Sequence, residues 1–324
     1  MYWIIIVFIA SLFSTLIVTP IFIKRLKEVG MTGRDIHKPG QEQVAEMGGL
    51  AVVFGFSVGA FIAIPFISGD LVSLFAALLT IILTGLVGVC DDIFGIRQKF
   101  KAFLPVFAAV PLIAVQAGDH TMILPFVGLF NFGLIYPLIL IPVGITVLAN
   151  ATNMLAGYNG LEAGLGFIAC GFIGLSGLVA GRPLVCVIMF AMAAACLGFL
   201  KYNKFPSRVF PGDVGTFTIG AAIASAAIIG NMEVIGIVAT LPYILNGAIT
   251  SLSVARRKPI EKFSKVENGV LVPPGRQYVT TLYFELERAF KLDEKKLVYV
   301  MWAIGAVFGL LSLLMTLTQV SLGA

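Results

Sequence analysis

Ten apolar runs, each bounded by charge, glycine or proline, follow one another along the chain and leave little outside them. They cover approximately residues 2–23, 48–67, 71–89, 103–116, 134–148, 161–180, 183–200, 214–229, 234–254 and 297–317. A helix needs about 20 apolar residues to cross a bilayer. Within the hydrocarbon its backbone groups must be bonded internally, which leaves only helices and closed barrels. The runs have helix length, so the expected fold is an all-α polytopic membrane protein with ten transmembrane helices. Composition excludes a soluble alternative: 12% of residues are charged, against roughly 25% in a typical soluble domain. With no internal repeat or low-complexity segment, residues 1–324 read as a single integral membrane domain. Basic residues follow the first run instead of preceding it, and no small-residue cleavage site is present, so that run reads as a retained helix.

Charge fixes a topology. If the chain alternates across the membrane, one face receives the loops 24–47, 90–102, 150–160, 201–213 and 255–296. These hold 21 of the 22 Lys and Arg residues, and the opposite face keeps only Arg182. The positive-inside rule then makes the five loops cytoplasmic and both termini external. Fourteen of the 17 acidic residues share that face, leaving Asp70, Asp119 and Glu233 outside. A face rich in both signs suits a charged substrate and a metal, although longer loops alone would also collect charge. Cys90, Cys170, Cys186 and Cys196 mostly lie in apolar runs without ligand spacing and read as small hydrophobes. His37 and His120 are too few and too far apart for a metal box.

Two cytoplasmic features have a readable local structure. Asn268-Gly269 between β-favouring residues predicts a small type I′ hairpin. Val279, Leu282, Tyr283, Leu286 and Phe290 recur at helical spacing and predict an amphipathic interfacial helix lying on the membrane surface. On the external side, residues 125–136 predict another short hairpin.

Four constellations could carry chemistry. Asp91-Asp92, followed by Arg97, Lys99 and Lys101, puts two repelling carboxylates at a membrane boundary, where a cation or proton would relieve them. Its plain alternative is a polar helix end. Asn150, Asn153 and Asn159, with Glu162, offer neutral oxygens and amide donors suited to Mg²⁺ or to a uracil or sugar edge. They would serve equally in a Gly/Asn turn. The stretch Lys201–Asp213 carries Arg208 and Phe210 and delivers Asp213 to a helix start, as either a cap or a metal ligand. Arg256-Arg257-Lys258 is a basic cluster fit for lipid headgroups or for a pyrophosphate. The pattern Gly55-x-x-x-Gly59 reads as helix packing.

Together DDIFGIRQKFK, NATNMLAGYNGLEAG and YNKFPSRVFPGD resemble the polyprenyl-phosphate N-acetylhexosamine-1-phosphate transferase family, glycosyltransferase family 4. The resemblance runs from roughly residue 33 to 274 and is strongest to the eukaryotic and archaeal branch using UDP-GlcNAc and dolichyl phosphate. It implies Mg²⁺-dependent transfer of GlcNAc-1-phosphate to a polyprenyl or dolichyl phosphate at the cytoplasmic face, with release of UMP. That would open lipid-linked oligosaccharide synthesis for protein N-glycosylation. Mn²⁺ is the alternative ion; the expected partners are the UDP-N-acetylhexosamine and the lipid phosphate, with no nucleic acid, and a homodimer is possible.

By motif, Asn153 and Asp213 match the metal ligands. Asp91 and Asp92 match the essential acidic pair, and Lys101 a lysine near the substrate phosphates. Asn159 and Phe210 match the uracil positions. Arg256, Arg257 and Lys258 fall loosely where a basic clamp holds pyrophosphate and sugar, and Asn150, Glu162 and Arg208 are supporting candidates. Ala156 and Asn159 stand where the peptidoglycan-precursor enzymes usually carry aspartates, and the last cytoplasmic loop lacks histidine, so muramoyl-pentapeptide transfer is disfavoured. The mixed motifs point to an archaeal cell membrane; a eukaryotic chain would sit in the endoplasmic reticulum. Two alternatives remain: another UDP-N-acetylhexosamine donor for cell-surface polymer synthesis, or, in a different class, a secondary transporter or lipid flippase. Transporters keep their polar residues near mid-membrane on broken helices, often in repeated halves, whereas the acids here cluster at loop edges on one face.

Overall fold

A computed structural model describes residues 2–38, 40, 42–67, 70–124, 128–261 and 263–321. The chain is helical almost throughout. It begins with α1 (Tyr2–Glu28), α2 (Gly49–Ala63) and α3 (Leu71–Phe94). Three short pieces follow: α4 (Gln98–Phe103), α5 (Pro105–Ala108) and α6 (Val110–Ala114). A wide turn over Tyr136–Leu140 leads into α7 (Ile141–Met154), and then come α8 (Leu161–Val179), α9 (Pro183–Asn203) and α10 (Gly212–Gly230). The chain ends with α11 (Glu233–Ala239), α12 (Leu241–Ala255), α13 (Leu282–Ala289) and α14 (Glu294–Ser321). Among the described residues, eight helical segments are long and apolar enough to cross a bilayer, or nine if α11 and α12 form one bent crossing. The protein is an integral membrane protein.

Two of the expected straight spans are therefore interrupted. The run 103–116 is not one helix, because Pro105 and Pro111 each open a new piece. Proline removes a backbone donor and clashes with the preceding turn, so it starts helices more readily than it continues them. The run 234–254 breaks at Thr240, just before Pro242, and its halves meet at 72°. Both segments are as apolar as their neighbours, and hydropathy alone could not distinguish them.

α10 is the centre of the bundle, in contact with α2, α3, α7 and α9. Its sequence, GDVGTFTIGAAIASAAIIG, is mostly small residues, which let other backbones approach on every side. α1 is the opposite case. It buries Val7, Ser11, Thr15, Thr19 and Ile23 along one stripe, while Ile5, Ile9, Phe13, Ile17 and Ile21 face outward. The Gly55-x-x-x-Gly59 pattern packs there: a Cβ on Gly59 would lie 2.8 Å from Ser11 Cβ.

Among the described residues, three short antiparallel hairpins decorate the ends: β1 (Thr32–Arg34) with β2 (Gln43–Ala45), β3 (Thr121–Leu124) with β4 (Gly128–Asn131), and β5 (Lys265–Glu267) with β6 (Val270–Val272). Asn268 and Gly269 both have positive φ, as a type I′ turn requires. The hairpin expected over 125–136 begins at Thr121, upstream of that stretch, and residues 125–127 lie outside the described residues. α13 departs from its expected setting. Val279 and Tyr283 of the expected apolar face are buried against the protein's own body, while Leu282 and Leu286 are half-buried and Phe290 is exposed.

Candidate active site

Two helix ends meet first. Gly88 of α3 passes so close to α10 that a Cβ on it would lie 2.6 Å from the Asp213 carbonyl carbon. One turn later Asp92 accepts hydrogen bonds from the backbone N–H groups of Asp213, at 2.9 Å, and Val214, at 3.1 Å. α10 has no side-chain cap of its own, so Asp92 caps it from another helix and lies at the positive end of its dipole. Asp213 itself is not the cap, and its carboxylate is free for other partners.

Those partners arrive from two further elements. Lys101, on α4, is buried and pairs with Asp91 at 2.8 Å and with Asp213. Asp91 also accepts from Ile96 N–H at 2.8 Å, across the left-handed turn at Gly95. Asn153, at the end of α7, donates to Asp213 at 2.5 Å and to the Thr216 hydroxyl at 3.0 Å. Burial pulls the Lys101 pKa down, but Asp213 and Asp91 outweigh it and hold the ammonium above its ordinary value. Burial, and then Asp213, push the nearby Glu46 carboxyl up.

Lys101, Asn150, Asn153, Phe210 and Asp213 line one cavity of about 1450 Å³. The loop carrying Phe210 is laced to β2, with Phe210 N–H donating to the Ala45 carbonyl at 2.8 Å. Its ring lies beside Gly33, where a Cβ would come within 3.5 Å. Asn150 donates to the Ala102 and Thr146 carbonyls, tying α4 to α7. Asp35, Asn159, Glu162 and Glu294 line another part of the wall. Asn159 donates its side-chain amide to Asp35 at 3.0 Å and its backbone N–H to Glu294 at 2.8 Å. Glu162 accepts from Gly157 N–H, also at 2.8 Å. A third part is apolar, formed by Val147 of α7 and by Ile244, Ala248 and Val254 of α12.

The structure thus gathers Asp91, Asp92, Lys101, Asn153 and Asp213 into one cluster, although Asp91 and Asp92 stand behind the cavity wall. Asn159, Phe210, Asn150 and Glu162 belong to the same cavity. The remaining candidates do not line it. Arg208 is exposed, with its guanidinium 5.8 Å from the centre of the Tyr202 ring. Arg256 and Arg257 are exposed, and Lys258 bonds the Arg276 carbonyl at 2.8 Å beside a separate cavity of about 230 Å³. Sequence reasoning missed Asp35, Glu46, Thr216 and Glu294. Only Glu294 left a trace, as an acid at the mouth of the last apolar run.

The chain matches the family described as Glycosyl transferase family 4 over residues 74–231. A protein of Saccharolobus solfataricus, named a putative UDP-N-acetylglucosamine–dolichyl-phosphate N-acetylglucosaminephosphotransferase, is 32% identical over 320 residues, covering 96% of each chain. A Sulfolobus acidocaldarius protein of the same name is 34% identical over 308 residues, covering 92% of each. The Schizosaccharomyces pombe UDP-N-acetylglucosamine–dolichyl-phosphate N-acetylglucosaminephosphotransferase is 31% identical over 196 residues, 54% of this chain and 44% of that protein.

Proposed function

The chain belongs to glycosyl transferase family 4, and from that premise we propose that it transfers GlcNAc-1-phosphate from UDP-GlcNAc to dolichyl or another polyprenyl phosphate. The products are UMP and GlcNAc-pyrophosphoryl-lipid, and the step opens lipid-linked oligosaccharide synthesis for N-glycosylation. The observation that carries this reading is the Lys101 cluster in the wall of a cavity whose other side is apolar. A charged donor and a lipid acceptor need such a combination in one place. In the reaction an oxygen of the lipid phosphate attacks the β-phosphorus of the donor. A new lipid-phosphate–phosphorus bond forms, and the bond from that phosphorus to the bridging oxygen of UMP breaks.

Each residue then has a role. Lys101 holds negative charge on the phosphates, and Asp91 steadies the ammonium from behind. Asp92 positions Asp213 by capping its helix. Asn159 bonds the uracil while the Phe210 ring stacks on it. The apolar wall between α7 and α12 keeps the first prenyl units of the acceptor out of water. Arg256, Arg257 and Lys258 follow directly on Val254 and Ala255 of the wall and meet pyrophosphate or sugar at the rim. One chain supplies this whole set, so the chemistry does not need a homodimer.

Asp213 Oδ1 accepts from the Asn153 amide nitrogen, and turning that amide over would set an oxygen beside the carboxylate, a pair that suits a hard divalent ion. The Thr216 hydroxyl, which also accepts from that nitrogen, can donate to the oxygen so placed. Mg²⁺ held there would neutralise charge on the pyrophosphate and on departing UMP. Counting the broken run 103–116 as one crossing and α11–α12 as one bent crossing gives ten spans. The site is then cytoplasmic and both termini external.

The test is UMP release and lipid-product formation by detergent-purified protein with UDP-GlcNAc, dolichyl phosphate and Mg²⁺. Activity should vanish on chelation and in Asp213→Ala. Release unaffected by either treatment would sink the transferase reading, and a panel of UDP-sugars would fix the donor.

A further inference from the structure

The wall away from Lys101 holds a second buried lysine–carboxylate–asparagine set. Asp35 is 3% exposed and Asn159 4%. One oxygen of Asp35 accepts from Lys38 Nζ at 2.6 Å and from Asn159 Nδ2 at 3.0 Å. Glu294 takes the Asn159 backbone N–H at 2.8 Å, so the residue is pinned at both its backbone and its side chain. The remaining atom, Asn159 Oδ1, is buried without a hydrogen-bond partner among the described residues.

The chemistry of Asp35 dictates which amide atom is left over. Paired with an ammonium, its carboxylate has no proton to give and can only accept. The Asn159 amide must therefore turn its NH₂ group toward Asp35, which makes its carbonyl the free end. A neutral amide or hydroxyl at position 35 would permit either orientation. Donor atoms of Asp35, His37 and Glu294 lie within 4.8 Å of one another, and the cation paired with Asp35 in this structure is the Lys38 ammonium.

We propose that Asp35, backed by Lys38, is a positioning residue for nucleobase selection, fixing the Asn159 carbonyl as the acceptor that a bound base meets. The wall then takes a base edge that donates an imide N–H, as uracil does, and refuses one that presents a ring lone pair. An unpaired buried acceptor facing a lone pair loses its hydrogen bond and is penalised as well. This inference rests on reading the cavity as the site of a uridine nucleotide, and it adds the groups that set its base preference.

The experiment measures binding of UMP, CMP and 3-methyl-UMP to the detergent-purified full chain, as wild type and as Asp35→Asn, Asp35→Glu and Lys38→Gln. Wild type should prefer UMP to both analogues by about tenfold or more, the scale of one good hydrogen bond. In Asp35→Asn the preference should collapse toward unity, because the amide pair can now reverse. Asp35→Glu keeps an acceptor-only partner and should retain most of it. Lys38→Gln should narrow it, and gives the answer if Asp35→Asn does not fold. A wild type that binds all three nucleotides alike would overturn the proposal. So would variants that lose affinity for all three in equal proportion, since that marks Asp35 as merely structural. Transfer from UDP-GlcNAc, measured on the same wild-type preparation, separates this outcome from failure of the transferase reading.

Discussion

The cavity has two ends built from the same parts and wired differently. Near α10, Lys101, Asp213 and Asn153 form a lysine–carboxylate–asparagine set; near β1, Lys38, Asp35 and Asn159 form another. At the first end the groups have spare partners. Lys101 has two carboxylates, and Asn153 has Asp213 and Thr216. A proton, an ion or a phosphate can enter there because bonds lost to one partner are remade with another. At the second end, Asn159 Oδ1, Glu294 Oε2 and His37 Nε2 have no partner among the described residues. Interchangeable partners suit a place where charge is exchanged, and orphaned buried atoms suit a place that a ligand completes.

The sharpest break between the ends is Asp213→Asn. It removes the carboxylate shared by Lys101 and Asn153 but leaves the second end intact. Transfer should fall on the order of 10³-fold, as several kcal/mol of charge stabilisation disappear, while UMP affinity changes by less than about threefold. Titrating UMP into the inactive variant checks this. A parallel loss of nucleotide binding would show that the ends are one unit.

Asp92→Ala comes next in size. It leaves the Asp213 and Val214 N–H groups uncapped, at a cost of about 1–2 kcal/mol. Thermal unfolding in detergent should drop, and transfer with it, whereas Asp92→Asn should recover much of the stability through its remaining acceptor oxygen. Full activity in Asp92→Ala would show that the cap does not position Asp213.

How far the sequence foretold this depends on the scale of the contact. Each motif delivered a residue to the cavity or to the cluster behind it: Asp91 and Lys101, Asn153 and Asn159, Phe210 and Asp213. The relation between them stayed hidden. A cap reaching from Asp92 to residues 121 and 122 positions later looks, in one dimension, like an unpaired acid. Asp35 stands in a charged loop and reads as a solvated side chain, although burial makes it one of the most constrained carboxylates in the molecule. Hydropathy reported which runs are apolar but not whether they are continuous, and so missed the breaks after Leu104 and at Thr240. The basic run 256–258 was legible as charge, yet chain direction at the end of α12 carries it past the cavity wall.

His37 tests the second end by pH. Its ring stacks on Tyr158 at 4.9 Å, and burial lowers its pKa, partly offset by Asp35. A depressed histidine favours the neutral form in the fold. Its stability contribution is therefore present above the ordinary value of 6.5 and is lost as pH falls through the folded value. Melting curves should show an acid limb of at most about 1.4 kcal/mol per pH unit from this group. His37→Phe keeps a stacking ring and should flatten that limb. An unchanged limb would assign it to other groups.

The smallest effect belongs to Arg256, which lies on neither end. It is exposed, and an exposed charge contributes less than about 1 kcal/mol to an ionic contact. Arg256→Ala should raise KM for the donor by up to about fivefold and leave kcat nearly unchanged, because the contact forms equally in ground and transition states. Salt should mimic the substitution in the wild type, since an exposed contact is screened. A large fall in kcat would mean that the loop between α12 and α14 closes over the cavity during turnover. The Lys101 end would then be completed by a third set of charges, supplied by the segment that the static fold holds outside the wall.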